Sequence, residues 1–279
     1  MITYLTLTPA RASGAVTAVA ISPDHTYLAV GHATGNIYLY ALNSPSKPAR
    51  TAPALQLRSV LTGRKEGHLV NSRILHIGFV GSRHTAIVSA DEHGRAFWSS
   101  LGRVLGVDSS DVVRMLGSYP ASAEADTLPS KTSTLFASPP LPLGKTAHAT
   151  DTFQLAALLT PSKLVVVGLK PSARTWFRRL RGSEGGSQGG VAGCAAWLPA
   201  GSLLDSQSGV SDPVLAYSWG SAVRFLRVRV VQLDEDPATA RKVEFVEGRR
   251  WDAGAVVSAL QWLDSNVRFL VRPKADDSM

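Results

Sequence analysis

The sequence is poor in the features that stabilise secreted proteins and anchor membrane proteins. Cys194 is its only cysteine, so no disulfide can form within the chain, which suits a reducing compartment. No apolar run reaches the roughly 18–20 residues that a membrane-spanning helix requires. The N-terminal residues lack both the basic start and the long apolar core of a secretory signal. These absences predict a cytoplasmic protein whose contact with any membrane is peripheral.

Charged residues are also scarce, and acidic ones are fewer than basic ones. They make up 18% of the 279 residues, against 44% hydrophobic residues, which is typical of a globular protein and not of a disordered one. The 29 basic and 21 acidic residues give a formal charge of +8. A basic surface favours acidic partners, which include nucleic acid, anionic lipid and acidic protein surfaces.

The sequence offers little for nucleotide binding or nucleophilic catalysis. The tripeptide GKT at residues 144–146 is similar to the end of a phosphate-binding loop, but Pro139 occupies the position of that loop's first glycine. Cys194 lies in an apolar run, GCAAW, with neither a base nor a thiolate-stabilising charge next to it in the sequence. We therefore predict that the protein is not an enzyme and takes no cofactor.

A metal site is not predicted either. The histidines of the central region are eight or nine residues apart, whereas zinc ligands usually form closer pairs that often include cysteine. A histidine inside a strand is more often packed or hydrogen-bonded than a ligand. The histidines concerned are His68, His76, His84 and His93.

The residues that are present follow a repeated plan of short strands. Residues 63–107 contain three apolar or β-branched runs, separated by breaks at residues 82–84 and 91–94. Residues 14–42 follow the same plan, with breaks of the same kind. Three strands with an outer fourth form the plan of a propeller blade. The repetition therefore indicates a β-propeller.

Similar units begin near residues 153, 190 and 254, which gives about five blade-like units in all. The sequence thus predicts an all-β fold with little helix, a WD-repeat-like β-propeller that spans residues 1–279 as a single domain. Both ends of the chain look cut, and an open ring exposes strand edges, so we expect the propeller to be incomplete and part of a larger ring, although five units could close in principle. Residues 118–150, rich in proline and serine, and residues 182–190, rich in glycine, are predicted to be flexible insertions.

The densest charge cluster is the run RTWFRRLR at residues 174–181. Its arginines are candidates for contact with an anionic partner such as nucleic acid or anionic lipid. The alternative is an ordinary strand, because alternation alone places charges on one face. Arg224, Arg227 and Arg229 allow the same two interpretations. The candidate contact residues of the run are Arg174, Arg178, Arg179 and Arg181.

The first two units resemble a known family. Residues 14–42, GAVTAVAISPDHTYLAVGHATGNIYLYAL, and residues 63–107, GRKEGHLVNSRILHIGFVGSRHTAIVSADEHGRAFWSSLGRVLGV, are similar to the N-terminal propeller of the fungal vacuolar protein sorting-associated protein 8 family. Later stretches, ATDTFQLAALLTPSKLVVVGLKP, GVAGCAAWLPA and AVVSALQWLDS, are similar to it too. At the strand ends, YA and WS stand where WD repeats carry a tryptophan–aspartate dipeptide.

The resemblance implies a non-catalytic scaffold and no small-molecule substrate. It implies a subunit of the CORVET tethering complex, bound peripherally to endosomal or vacuolar membranes, in protein transport to the vacuole. The implied partners are other tethering-complex subunits and an early-endosomal Rab GTPase. The similarity lies in framework motifs, so no contact residue is carried over from the family. The alternative function, which the charge of +8 suggests, is a nucleic-acid-binding β-propeller scaffold.

Overall fold

The computed structural model of the chain describes residues 14–81, 83–104, 107–121, 135–182, 193–202, 210–232, 241–262 and 269–273. The chain divides into two compact units, Met1–Thr134 and Leu135–Met279. Among the described residues, helix is limited to α1 (Leu57–Leu61) and a 3-10 turn at Ala149–Thr152. No helix of this part of the chain is long and apolar enough to cross a membrane. The prediction of an all-β fold with little helix is confirmed.

The first unit contains two four-stranded antiparallel sheets, in each of which neighbours in the chain are neighbours in the sheet. The strands of the first sheet are β1 (Val16–Ile21), β2 (Tyr27–His32), β3 (Ile37–Ala41) and β4 (Arg50–Ala52). The strands of the second are β5 (Ile74–Val80), β6 (Arg83–Asp91), β7 (Ala96–Val104) and β8 (Val107–Leu116). Both sheets are therefore four-stranded meanders, which is the plan of a propeller blade.

Glycines at the second turn of each sheet explain why the two sheets match. Gly35 and Gly94 adopt positive φ values of 86° and 75°, a conformation that glycine takes at little cost. Each turn is closed by a backbone hydrogen bond, from Gly35 to His32 at 3.1 Å and from Gly94 to Asp91 at 3.0 Å. The sequence breaks predicted between strands are thus tight hairpin turns.

The second unit contains three antiparallel sheets among the described residues. A three-stranded sheet has the order β11-β10-β9, a four-stranded one β12-β13-β14-β15, and a two-stranded one β16-β17, numbered along the chain. Their bounds are β9 (Leu155–Leu159), β10 (Lys163–Gly168), β11 (Arg174–Leu180), β12 (Gly193–Leu198), β13 (Val214–Trp219), β14 (Ala222–Gln232), β15 (Arg241–Asp252), β16 (Val257–Trp262) and β17 (Phe269–Pro273). The five sheets of the two units agree with the five predicted blade-like units.

The core of the second unit is built on β9 and β10. Every residue of β9 is buried, and β10 is buried from Leu164 to its end. Such continuous apolar runs mark strands that are covered on both faces. Aromatic side chains from β12 and β13 join this core, among them Trp197, Tyr217 and Trp219. The strands further out, β11, β14 and β15, carry charged residues.

That residues 1–279 form a single domain stays a prediction, and the two predicted insertions are described only in part. Two of the five sheets have fewer than four strands in the described residues. Of the predicted insertion at residues 118–150, residues 122–134 lie outside the described part, as do residues 183–190 of the second insertion. Within residues 135–150, Leu141 is buried and Pro140 pairs with Ala156 of β9. The flexibility of the two insertions stays a prediction.

Candidate functional site

The predicted arginine run forms the outer strand of its sheet. It is β11, and its partner on one side is β10. A bulge places Trp176 as an extra residue between the pairs Val166–Phe177 and Val167–Thr175. Beyond the bulge, Arg178 and Arg179 point to opposite faces because strand residues alternate. The run therefore does not present one continuous basic face.

Arg174 packs on an aromatic side chain of its own strand. Its guanidinium carbon lies 3.4 Å from the centroid of the Trp176 ring, which is a cation–π contact. Trp176 in turn meets Phe153 edge to face, at 5.4 Å between ring centroids. The indole lies against Gly168 of β10, where an added Cβ would contact its Nε1. Arg174 thus covers the margin of the apolar core.

Arg179 joins β11 to the next sheet. Its Nη1 pairs with Oε1 of Glu247 on β15. One step along, Phe177 packs on Phe245 of the same strand, at 4.9 Å between ring centroids. Arg178 is exposed and forms no ion pair with the described part of the chain. The four predicted arginines therefore have different surroundings.

Two of these arginines line a pocket with a third from β14. Arg179, Arg181 and Arg224 all line a space of about 130 Å³. The remaining lining residues are Leu180, Gly182, Trp219 and Ala222. The backbone N–H of Arg181 donates to the carbonyl of Ser162 at 2.8 Å, which fixes the chain just past the end of β11. The tertiary structure thus brings together arginines that are more than forty residues apart in the sequence.

Tyr217 lies next to this pocket and has an unusual hydroxyl. Its side chain is fully buried, and its oxygen has no hydrogen-bond partner in the described residues. Burial raises the pKa of Tyr217 to about 12, although the charges of Arg179 and Arg224 oppose the rise and that of Glu247 adds to it. The ring meets Trp219 edge to face at 5.4 Å. No signal in the sequence pointed to this tyrosine, because Tyr217 pairs with Arg224 only once the sheet has formed.

A second polar cluster lies inside the first unit. Nδ1 of His68 lies 3.0 Å from Oδ2 of Asp91, and its Nε2 lies 2.8 Å from Oγ of Ser89. Nε of Arg95 donates to the same carboxylate oxygen at 3.0 Å. Because an ionised carboxylate only accepts, Nδ1 of His68 carries a proton and donates it to Asp91, and Nε2 shares a hydrogen bond with the serine hydroxyl.

This arrangement has the residue types and order of contacts of a hydrolase triad. Ser89 and Asp91 are nevertheless 0% exposed, and His68 is 5% exposed. Arg95 is buried as well and donates from Nη2 to Ser72 at 3.0 Å. A nucleophile that no substrate can reach does not catalyse, so the cluster is a structural network that ties β6 to the segment before β5.

Hydrogen bonds and neighbouring positive charges keep the carboxylate of Asp91 ionised despite its burial. Burial raises the pKa of Asp91, but the hydrogen bond and charge of His68, with the charge and backbone N–H of Arg95, outweigh it and hold the pKa far below the ordinary value. The backbone N–H of His93 also donates to the carboxylate, at 3.0 Å. The side chain thus fixes the hairpin turn that follows β6.

The first sheet lacks this network. His32 occupies the place of Asp91, since His32 pairs with Val16 of β1 as Asp91 pairs with Ile74 of β5. The His32 ring packs edge to face on Tyr38, at 5.1 Å between centroids. The role of His68 in this network was not predicted from the sequence. A glycine–histidine pair ahead of a strand that ends in Ser-x-Asp was the signal that could have located the network.

Of the four histidines considered for metal binding, His84 has a side chain that lies outside the described part of the structure. In the described part of the chain, no group of three or more His, Cys, Asp or Glu side chains could hold a metal ion. Sγ of Cys194 lies 3.1 Å from Oγ of Ser218. Burial raises the pKa of this thiol, and the hydrogen bond with Ser218 offsets only part of the rise. A thiol with a raised pKa is a poor nucleophile.

Comparison with known proteins shows where this architecture occurs. A family model described as Vps8 beta-propeller matches residues 3–273. The vacuolar protein sorting-associated protein 8 homologs of Homo sapiens and Mus musculus are each 29% identical over 217 residues, which is 77% of this chain. The chain spans only 13% of the length of these relatives. The crystal structure of a mitotic checkpoint complex matches 92% of this chain and 56% of its own, with a TM-score of 0.50 and 15% identity, which shows a common fold alone.

Proposed function

The chain belongs to the Vps8 beta-propeller family, and from this membership we propose that it is a non-catalytic scaffold in vesicle tethering and protein transport to the vacuole. The observation that carries the proposal is the family match, which covers residues 3–273 and therefore nearly the whole chain. The two relatives are named for vacuolar protein sorting. The chain contributes the propeller, a rigid framework whose loops and outer strands are available for recognition.

The finer part of the proposal concerns partners and place. The protein joins other subunits of a CORVET-type tethering complex, recognises an early-endosomal Rab GTPase, and is bound peripherally to endosomal or vacuolar membranes. The formal charge of +8 and the arginines of β11 and β14 support an acidic partner surface. Charge complementarity of this kind accelerates encounter and selects partners.

The proposal also holds that the protein catalyses no reaction. The Ser89–His68–Asp91 cluster is the arrangement that most resembles a catalytic one in the described residues, and it is buried. Its polar atoms satisfy one another and the adjoining turn, as expected of a network that holds a blade together. This supports a scaffold role for the unit that contains it.

Two measurements test the proposal. The purified chain is mixed with an early-endosomal Rab GTPase loaded with GDP or with a non-hydrolysable GTP analogue, and GTP-dependent retention is expected. In cells, the protein that carries this propeller is tagged, and its endosomal location and the tethering subunits recovered with it are recorded. Loss of both when the propeller is deleted is the expected result. Nuclear location with bound RNA, whatever the state of the Rab, would overturn the proposal in favour of a nucleic-acid-binding scaffold.

A further inference from the structure

We propose that the pocket of Arg179, Arg181, Arg224 and Trp219 binds a carboxylate side chain of an acidic peptide segment in a partner protein. Arg179 lies on β11 and Arg181 directly follows that strand, whereas Trp219 and Arg224 lie on β13 and β14. All of them lie in the second unit. The pocket is the place where the arginine cluster seen in the sequence becomes a defined site.

The charge of the pocket suits a carboxylate. Three arginine residues line it, and one of them, Arg179, is paired with the carboxylate of Glu247. Cross-strand from Arg224, β15 adds a further cation, Arg250. Arginine offers a planar fork of donors that matches the two oxygens of a carboxylate.

The walls of the pocket are fixed in place. The indole Nε1 of Trp219 donates to the carbonyl of Thr160 at 2.9 Å, and the ring packs on Tyr217. A rigid wall lowers the entropy lost on binding. The buried hydroxyl of Tyr217, which has no hydrogen-bond partner in the described residues, lies within electrostatic range of Arg179 and Arg224.

Size and local charge favour an acidic peptide over a membrane or a nucleic acid. A volume of about 130 Å³ suits one small anionic group such as a carboxylate. Glu247 shows that a carboxylate already contacts Arg179 in this geometry. The same strand carries Glu244 and Asp252 among its basic residues, so it lacks the continuous positive charge that favours a lipid surface or a phosphate backbone. Leu180, 62% exposed at the margin, offers contact to an apolar residue of a peptide.

The first test compares two pairs of substitutions on the same strands. The R181Q/R224Q variant removes two cations from the pocket. The matched control, R178Q/R227Q, removes two exposed cations from β11 and β14 that do not line it. Binding of a fluorescein-labelled hexaglutamate peptide to the whole 279-residue chain is followed by fluorescence anisotropy. We expect R181Q/R224Q to weaken the affinity about tenfold or more, and the control to change it by less than about threefold, since exposed charges are screened by salt.

The second test uses a substitution that strengthens binding, so that a misfolded variant cannot imitate it. E247Q removes the internal carboxylate that competes for Arg179, and we expect the peptide to bind about threefold or more tightly. E244Q makes the same change of charge on the same strand, next to Lys242, and should leave the affinity nearly unchanged. Circular dichroism confirms that each variant has the wild-type fold.

The outcomes separate the pocket from a general basic surface. Equal weakening in R181Q/R224Q and R178Q/R227Q, or equal strengthening in E247Q and E244Q, would show a non-specific field and overturn the inference. So would a wild-type chain that ignores the peptide but binds vesicles containing phosphoinositide, or single-stranded RNA, through these arginines. Peptide binding by the pocket is independent of the Rab and location measurements above, so either proposal can fail alone.

Discussion

His68 and Asp91, 23 residues apart in the sequence, share a hydrogen bond of 3.0 Å inside the first unit. Both side chains are buried, and Ser89 and Arg95 complete their contacts. The bond ties the segment before β5 to the turn after β6. A buried ionised group is tolerated only when its partners compensate for lost hydration, so the stability of this unit depends on the whole network.

We expect acid to destabilise the first unit through Asp91. Its pKa in the folded chain lies below the ordinary value of 3.8. The carboxylate therefore stabilises the fold fully above that value and loses its contribution as the pH falls from about 4 downward. Urea midpoints between about pH 6 and pH 3 should show this loss in the wild type and a smaller one in D91N. D111N, an exposed carboxylate of the same unit, should keep the wild-type dependence; equal dependence in D91N would contradict the assignment.

Removing His68 should leave a buried charge without its main partner. We expect H68A to lower the free energy of unfolding by about 3 kcal/mol, because Asp91 loses a hydrogen bond and a cavity forms. H93A, at a partly exposed position in the adjoining turn, should cost less than about 0.5 kcal/mol. Urea unfolding followed by fluorescence measures both. Similar losses in the two variants would show that the network contributes little.

Ser89 should have no catalytic activity in spite of its histidine partner. Hydrolysis of p-nitrophenyl acetate by the wild-type chain and by S89A should proceed at the same rate, since the serine is 0% exposed. S89A should instead lower stability by about 1 kcal/mol, the usual effect of losing one internal hydrogen bond. A lower rate of hydrolysis in S89A would show that the buried cluster opens to substrate.

Gly168 should tolerate no side chain beside Trp176. In G168A the new Cβ meets the indole Nε1, so we expect a loss of about 1–3 kcal/mol from overpacking. Exchanging Trp176 for phenylalanine removes the atom concerned. In the double variant G168A/W176F the cost of the alanine should therefore be smaller than in the wild-type background. An unchanged cost would place the clash elsewhere.

The protein should be more stable when Tyr217 lacks its hydroxyl. The oxygen is buried with no hydrogen-bond partner among the described residues, so Y217F should raise the free energy of unfolding by up to about 1 kcal/mol. W219F is the contrasting variant, because it removes the 2.9 Å bond to Thr160 and should lower stability. A destabilised Y217F would indicate that the hydroxyl has a partner.

Local sequence determined the strands and the family. Alternating and β-branched runs bounded by glycine, proline and aspartate predicted the meanders because each hairpin depends on neighbouring residues only. The framework motifs of residues 14–42 and 63–107 identified the family, and the match over residues 3–273 confirms that identification. The same local signals gave the count of five blade-like units.

Only the tertiary structure decided which polar residues meet. His68 and Asp91 belong to different segments, and Arg179 and Arg181 reach Arg224 only because β11 lies next to the four-stranded sheet of the second unit. The arginine run looked uniform in the sequence, yet a bulge at Trp176, an ion pair to Glu247 and a pocket past the strand end gave its members different surroundings. Hairpins follow from residues close in the chain, whereas these contacts depend on how sheets pack, which no short stretch of sequence encodes.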